Sequence, residues 1–305
     1  CDASSCLIMK ICFHTGGHLG DFILTIPFLN LIIKKYPENE YYQSVHGMEG
    51  TRYPDSLIQT VPHLTPSETL CGDINIPTWF CDPSYSHLHL TGEAADKVLR
   101  PYDMVSIQKY YWKHVFKNNN FDIDIPPDLG LEFDFENILD KDSIDSINKL
   151  GEDSRKKILF INIKGRSGQT DNNDWLGRID TISKLYPEWN YYYTNEEDVE
   201  VENENIIHTP SIFGNHQSDL VHNAYLSTWC DIIVARNSGA FQAISMQNKN
   251  VFDDNKIFIT QTQDNTHKPD LECFYNRTIY KAENIHTRVS QETFYKLEEI
   301  LWSCQ

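Results

Sequence analysis

The feature that most constrains the fold is a short apolar run followed by a glycine-rich turn and a longer apolar segment. Residues 11–13 are typical of a buried strand, and three glycines follow within residues 16–20. Glycine permits a sharp turn after a strand, and the sequence then predicts a helix from Asp21 to about Tyr36, with Asp21 as its N-cap. Because another strand is predicted at 41–46, the order strand, helix, strand indicates a parallel pair joined by a right-handed crossover.

Asp21 admits two interpretations. A carboxylate placed where a strand hands over to a helix lies at the carboxyl edge of a parallel sheet, where open α/β folds bind ligands and carry out chemistry. Asp21 is therefore our first candidate for a catalytic base, and the alternative is a helix cap without a chemical role. Gly17, His18 and Gly20 are candidate contacts to an acceptor or a phosphate on the same turn.

The pattern of strands and helices restarts in the second half of the chain. Strands are predicted at 158–163, 190–194, 231–235 and 256–260, and helices at 176–185, 217–228, 239–247 and 290–303. The run at 158–163 is continuously apolar except for Asn162, as a strand buried on both faces requires. We therefore expect an α/β protein with two Rossmann-like domains that face a central cleft.

The domain boundaries follow from shifts in composition. We expect an N-terminal domain at 9–135, a charged linker at 136–157, a C-terminal domain at 158–288, and a final helix within 289–305 that packs back on the N-terminal domain. Residues 1–8 precede Met9-Lys10 and are expected to be a non-native or disordered extension. Between 50 and 103 the pattern is mixed, and the order of the elements cannot be predicted.

Two loops in the second half carry candidate donor-binding residues. They are Arg236, Asn237, Ser238, Gly239 and Ala240 after one predicted strand, and Lys164 and Arg166 after another. A small polar turn between a strand and a helix aims backbone N–H groups at a phosphate, and nearby cations neutralise a diphosphate. The alternatives are an ordinary turn for the first loop and a solvated loop for the second.

Charge and cysteine content exclude several classes of partner. The formal net charge of −18 over 305 residues argues against nucleic acid and against anionic membrane surfaces, both of which require clustered Lys and Arg. No apolar run reaches the roughly 18 residues of a transmembrane helix. The eight cysteines form no C-x-x-C pair and no metal-ligand spacing, so we expect no metal site and a reducing, cytoplasmic location.

Taken together, these segments resemble the heptosyltransferase-like glycosyltransferases. Residues 20–29, which begin Gly-Asp and contain Pro27, continue to a Tyr-Pro pair at 36–37 and are similar to the N-terminal signature of that family. Residues 158–175 are similar to its donor-binding loop, and residues 231–242 to its strand followed by Asp-Ser-Gly-x-x-His. The resemblance covers both halves of the chain in the family's order and leaves 50–150 unmatched.

The resemblance implies a GT-B fold and the inverting, metal-independent transfer of a sugar from a nucleotide-diphospho-sugar to a hydroxyl group of a glycan or protein. Asp21 falls on the family's proposed general base, and residues 238–240 fall on the turn that holds the donor diphosphate. No cofactor is implied besides this donor substrate. Three residues depart from the family pattern, namely Asn173, Asn237 and Gln242.

Two alternatives remain open. One is a fucosyltransferase-like GT-B enzyme that uses GDP-fucose, for which residues 16–20 and 237–239 show a faint similarity; the Arg-rich loop expected after the strand at 158–163 is absent from the sequence. The other is a catalytically silent GT-B-like module that binds a glycan or a nucleotide, which the three departures favour.

Overall fold

The chain divides into two compact units, Cys1–Leu131 and Glu132–Gln305. The structure is a computed structural model that describes residues 8–47, 50–79, 82–88, 104–126, 129–131, 133–163, 173–194, 202–213, 220–236, 238–245, 256–261 and 283–304. Residues 1–7 of the expected extension, and the candidate residues Lys164, Arg166 and Asn237, lie outside the described residues.

The first unit is built on a four-stranded parallel sheet. Its elements are strands β1 (Lys10–His14), β2 (Glu40–Ser44), β3 (Leu64–Ser67) and β4 (Ile74–Pro77), helices α1 (Leu19–Lys35), α2 (Asp55–Ile58) and α3 (Met104–Asn118), and a 3-10 helix at Pro83–Leu88. The strands lie in the order β3-β2-β1-β4, and Ile11 of β1 pairs with Tyr41 on one side and Ile74 on the other. Strand β1 is therefore interior to the sheet, and the turn that follows it opens at the carboxyl edge.

Helix α1 is buried on most of its surface. Ten of its 17 residues are buried, and Phe28 stacks on Trp112 of α3 at 5.2 Å between ring centroids. The uninterrupted apolar sequence after Asp21 is explained by this burial, because no face of the helix is left for charged residues until Lys34 and Lys35 in its last turn.

The segment that could not be ordered from the sequence supplies both edges of the first sheet. Strands β3 and β4 have four residues each, and each contains a proline, Pro66 or Pro77. Proline cannot donate to a neighbouring strand and is tolerated at sheet edges, which is where both strands lie.

The second unit is built on a six-stranded parallel sheet. Its strands are β5 (Lys157–Ile161), β6 (Asn190–Thr194), β7 (Ile206–His208), β8 (Ile232–Arg236), β9 (Ile257–Gln261) and β10 (Glu283–Thr287). Its helices are α4 (Phe135–Ile138), α5 (Lys141–Gly151), α6 (Leu176–Leu185), α7 (Pro210–Phe213), α8 (Leu220–Ser227), α9 (Gly239–Ser245) and α10 (Ser290–Ser303). The strand order β10-β9-β8-β5-β6-β7 places β8 and β5 at the centre, and all their residues are buried.

The segments at the two ends of this unit both form helices. The predicted linker contains α5, which buries Ile147 and lies against α8, where Tyr225 donates a hydrogen bond of 2.6 Å to the Asn148 side chain. The sequence of this segment is mostly charged and polar, because α5 buries only one narrow face and its other residues are in contact with solvent. The final helix, α10, buries Phe294 and Leu297 in the core of the second sheet.

Candidate active site

The turn between β1 and α1 holds the Asp21 carboxylate in a fixed position. The sequence predicted Asp21 as the N-cap of helix α1. The helix begins at Leu19 instead, so Asp21 is its third residue and His18 is the N-cap. Oδ2 of Asp21 accepts a hydrogen bond of 2.8 Å from the backbone N–H of His18, the residue that precedes the helix. Because a carboxylate at this position reaches back over the first turn, Asp21 caps the helix from inside it.

Two glycines make room for side chains on this turn. A Cβ atom at Gly17 would lie 2.5 Å from Oδ2 of Asp21, and a Cβ at Gly16 would lie 2.9 Å from Cε3 of Trp79. The carboxylate therefore packs directly against the backbone of Gly17, and the indole ring packs against that of Gly16. These contacts explain why the turn needs consecutive glycines at positions 16 and 17.

Tyr53 holds the backbone of the same turn through hydrogen bonds. Its hydroxyl group donates to the carbonyl oxygens of Gly17 at 2.6 Å and Thr15 at 3.1 Å, and its fully buried ring stacks on Phe22. Burial, together with the charge of Asp21, raises the pKa of Tyr53 well above its usual value, so the hydroxyl group stays protonated and remains a donor. No sequence pattern points to Tyr53, because its partner Gly17 lies 36 residues away in the chain.

The surroundings of Asp21 raise its pKa above that of an aspartate in water. Burial raises the pKa of Asp21, while the N–H group and the side-chain charge of His18 oppose this shift. A carboxylate with a raised pKa is a stronger base than an exposed aspartate, and it is held next to the turn residues Gly17, His18 and Gly20 that we expected to contact an acceptor or phosphate.

A second pair of titratable groups lies at the end of β1. Burial lowers the pKa of His14, and the negative charge of Asp82 opposes this. The backbone N–H of Asp82 donates to the carbonyl oxygen of Trp79 at 2.9 Å, so this pair belongs to the same edge of the sheet as the Trp79 ring.

In the second unit the turn after β8 was predicted to hold a diphosphate. Ser238 lies just before α9, and its hydroxyl oxygen accepts a hydrogen bond of 3.3 Å from the backbone N–H of Phe241. Ser238 and Gly239 are half-buried, and Ala240 is buried. Strand β8 and helix α9 therefore lie on either side of Ser238 in the order that the sequence predicted, and the binding of a diphosphate here stays a prediction.

Arg236 occupies an unexpected position. It is the last residue of β8 and not part of the turn, its side chain is 0% exposed, and its guanidinium group lies 4.8 Å from the centroid of the Trp175 ring. It also donates a hydrogen bond to the carbonyl oxygen of Asn173, while Trp175 donates to the hydroxyl oxygen of Ser290. Arg236 thus anchors residues 173–175. The sequence had suggested that Arg236 contacts the donor, and it gave no sign of this contact with residues 173–175.

The fold can be compared with those of known proteins. No protein-family model matches the sequence, and no curated protein sequence does. Among solved structures, the glycosyl transferase family 9 protein from Veillonella parvula superposes with a TM-score of 0.55 at 14% identity, over 96% of this chain and 91% of that one. The chain has a GT-B fold.

The GT-B fold confirms, at the level of architecture, the resemblance read from the sequence. ADP-heptose lps heptosyltransferase II from E. coli is a more distant structural neighbour, with a TM-score of 0.49 at 12% identity over 97% of this chain and 99% of that one. Within each parallel sheet of the GT-B fold, the β1–α1 turn and the β8–α9 turn follow the carboxyl ends of interior strands, where doubly wound sheets bind ligands.

The described residues include neither a membrane-spanning helix nor a metal-binding cluster. No described helix combines the length and the apolar character needed to cross a membrane. Within the same residues, no cluster of three or more His, Cys, Asp or Glu side chains has a geometry that could hold a metal ion.

Proposed function

We propose that this protein is an inverting, metal-independent glycosyltransferase that moves a sugar from a nucleotide-diphospho-sugar to a hydroxyl group of a glycan or protein, with Asp21 as the general base. The observation that carries this proposal is the half-buried Asp21 carboxylate, which lies against Gly17 at the carboxyl edge of the first sheet of a GT-B fold. The four cysteines that the structure describes, at 12, 71, 230 and 304, are free thiols, which supports a reducing, cytoplasmic setting.

The proposed reaction is a single displacement. Asp21 accepts the proton of the acceptor hydroxyl group as its oxygen forms a bond to the anomeric carbon. The bond from that carbon to the diphosphate oxygen breaks on the opposite face, so the configuration inverts and the nucleoside diphosphate leaves with the electron pair. Asp21 suits this role because burial raises its pKa toward the working pH while the His18 N–H group fixes its orientation.

The donor is proposed to bind to the second unit. Backbone N–H groups of Ser238, Gly239 and Ala240 face the growing negative charge of the leaving diphosphate, and Lys164, Arg166 and Asn237 complete the set that the sequence suggested. We propose that Arg236 acts indirectly, because its fully buried guanidinium group is engaged with Trp175 and the Asn173 carbonyl.

Binding of nucleoside diphosphates tests the donor half of the proposal. One of ADP, GDP and UDP is expected to raise the melting temperature by about 5 °C at about 100 times its Kd, because a ligand that binds only the folded chain stabilises it. Removing both cations of the loop, in Lys164→Ala/Arg166→Ala, should reduce this shift. The control Lys184→Ala, which removes an exposed lysine of α6 that pairs with Asp180, should not.

The outcome of a matching turnover assay separates the candidate functions. Release of nucleoside diphosphate from one of a panel of ADP-, GDP- and UDP-sugars, in the presence of an acceptor, supports the transferase, and GDP-fucose in the panel tests the fucosyltransferase-like alternative. Binding without turnover supports the silent module, which the departures Asn173, Asn237 and Gln242 favour. Absence of both binding and turnover contradicts the proposed function.

The pH dependence of transfer reports the pKa of the base. Because only the ionised carboxylate can accept a proton, kcat/KM should fall as the pH is lowered through the raised pKa of Asp21, with a midpoint above the ordinary aspartate value of 3.8. The profile is measured from about pH 4 to 8, with circular dichroism at each pH to confirm that the chain stays folded. A midpoint at or below 3.8 in folded protein would contradict the assignment of Asp21, with its raised pKa, as the base.

A further inference from the structure

We propose that the acceptor is an uncharged carbohydrate whose sugar ring stacks on Trp79 beside Asp21. This inference rests on the proposed function and adds the class of acceptor and the residue that selects it. It follows from the placement of the Trp79 ring and from the balance of charge at this edge of the first sheet.

The Trp79 ring lies beside the β1–α1 turn. The preceding residue, Thr78, donates its backbone N–H to the carbonyl oxygen of His14 at 2.9 Å, and its hydroxyl group is hydrogen-bonded to that of Thr15. On one side the indole lies against the backbone of Gly16. Because the ring is only half-buried, part of its apolar surface remains available to a ligand.

The ring and the candidate base flank the same two backbone residues. The Trp79 ring lies next to the place that a Cβ atom would occupy on Gly16, and the Asp21 side chain lies next to the corresponding place on Gly17. Consecutive Cα atoms are about 3.8 Å apart, so Cε3 of Trp79 and Oδ2 of Asp21 are separated by at most about 12 Å. A sugar stacked on the indole can therefore present a hydroxyl group to the carboxylate.

The charges at this edge disfavour an anionic acceptor. Arg52 forms ion pairs of 3.0 Å with Asp55 and 2.9 Å with Glu68, so its positive charge is already matched by carboxylates. None of the ion pairs that the structure describes joins a Lys or Arg side chain to Asp21 or Asp82. An acceptor that carries a carboxylate or phosphate would add to the negative charge of Asp21 and Asp82, which His18 offsets only in part, whereas a neutral sugar would not.

Binding of matched neutral and acidic sugars tests the inference directly. The probes are p-nitrophenyl β-glucoside and β-galactoside and the corresponding glucuronide and galacturonide, and binding is followed by saturation-transfer NMR without a donor. At least one neutral glycoside is expected to bind at least tenfold more tightly than its uronide, and added salt should narrow this gap. The inference is overturned if the uronides bind as tightly, or if no neutral glycoside binds.

Substitutions of Trp79, and of Gly16 beside it, test whether the indole ring forms a stacking platform for the sugar. Trp79→Ala should weaken binding of the neutral glycoside at least tenfold, whereas Trp79→Phe, which keeps an aromatic face, should stay within about threefold. Gly16→Ala retains the indole but places a Cβ 2.9 Å from it, so it should weaken binding by displacing the platform. The control Trp302→Ala removes an indole that is 74% exposed on α10 and should have no effect.

A charge variant separates stacking from electrostatic selection. Asp82→Asn should narrow the gap between neutral and acidic glycosides, because it removes one negative charge beside His14. The matched control Asp122→Asn removes an exposed charge next to Tyr36, the C-cap of α1 about 22 Å from Asp21, and should leave the gap unchanged.

The two proposals fail in different ways. Equal glycoside binding by the wild type and Trp79→Ala, with sugar transfer intact, overturns the acceptor inference and leaves the transferase proposal standing. Binding that depends on Trp79, without turnover of any nucleotide sugar, overturns the transferase and leaves a carbohydrate site in a silent module.

Discussion

Asp21→Asn is expected to lower kcat for sugar transfer by about 10²–10⁴-fold while the chain stays folded. The amide cannot accept the acceptor proton, but its oxygen can still accept the hydrogen bond that Oδ2 receives from the His18 N–H. Since burial raises the pKa of Asp21, the ionised form at neutral pH is less favourable in the folded chain than in the unfolded one. Removing the charge should therefore not destabilise the protein, and the melting temperature measures this.

The structure offers a matched control for this substitution. Asp140 is the N-cap of α5, where it accepts a hydrogen bond of 2.8 Å from the backbone N–H of Ser143. Asp140→Asn makes the same chemical change at another helix start and should leave kcat unchanged. If Asp21→Asn transferred sugar as fast as the wild type, Asp21 would be a helix cap without a chemical role.

Gly17→Ala is expected to reduce transfer at least 10²-fold and to lower the free energy of unfolding by about 1–3 kcal/mol. The added Cβ would lie 2.5 Å from both the Cβ and Oδ2 of Asp21, so the carboxylate has to move. Retreat of the backbone is restricted, because Tyr53 holds the Gly17 carbonyl oxygen at 2.6 Å. Urea unfolding measures the loss of stability, and the transfer assay measures the misplacement of the base.

Gly177→Ala controls for the general effect of replacing glycine. A Cβ at Gly177 in α6 meets only a side-chain atom of Asp174 at 4.0 Å, so we expect a gain of about 0.5–1 kcal/mol and unchanged activity. If Gly17→Ala behaved in the same way, the close contact between the glycine and the carboxylate would not position Asp21.

The interior strands and the long helices could be predicted from the sequence. Strand β6 and helix α10 occupy the residues predicted, and β5 and β8 differ by one or two residues at their ends. These elements are recognisable because a strand buried on both faces, or a helix with one buried face, repeats its apolar residues with a regular period.

The elements that the sequence did not predict owe their structure to neighbours distant in the chain. Strands β3 and β4 are short, contain proline and are defined by their pairing to β2 and β1. Tyr53 acts on a turn 36 residues earlier. The position of Arg236 depends on Trp175, which lies on another element. Composition and periodicity report local preferences, so they carry no information about such contacts.

Among the described residues, the hydrogen bonds and close contacts that hold the Asp21 carboxylate and its turn come from residues 14–79. The geometry of the base is therefore encoded in one continuous stretch of less than a quarter of the chain. Recombination that exchanges residues 132–305 for those of a related protein would leave that stretch untouched. If Asp21 is the base and the donor binds to the second unit, as we propose, such an exchange would change the sugar donor and leave the residues around Asp21 as they are.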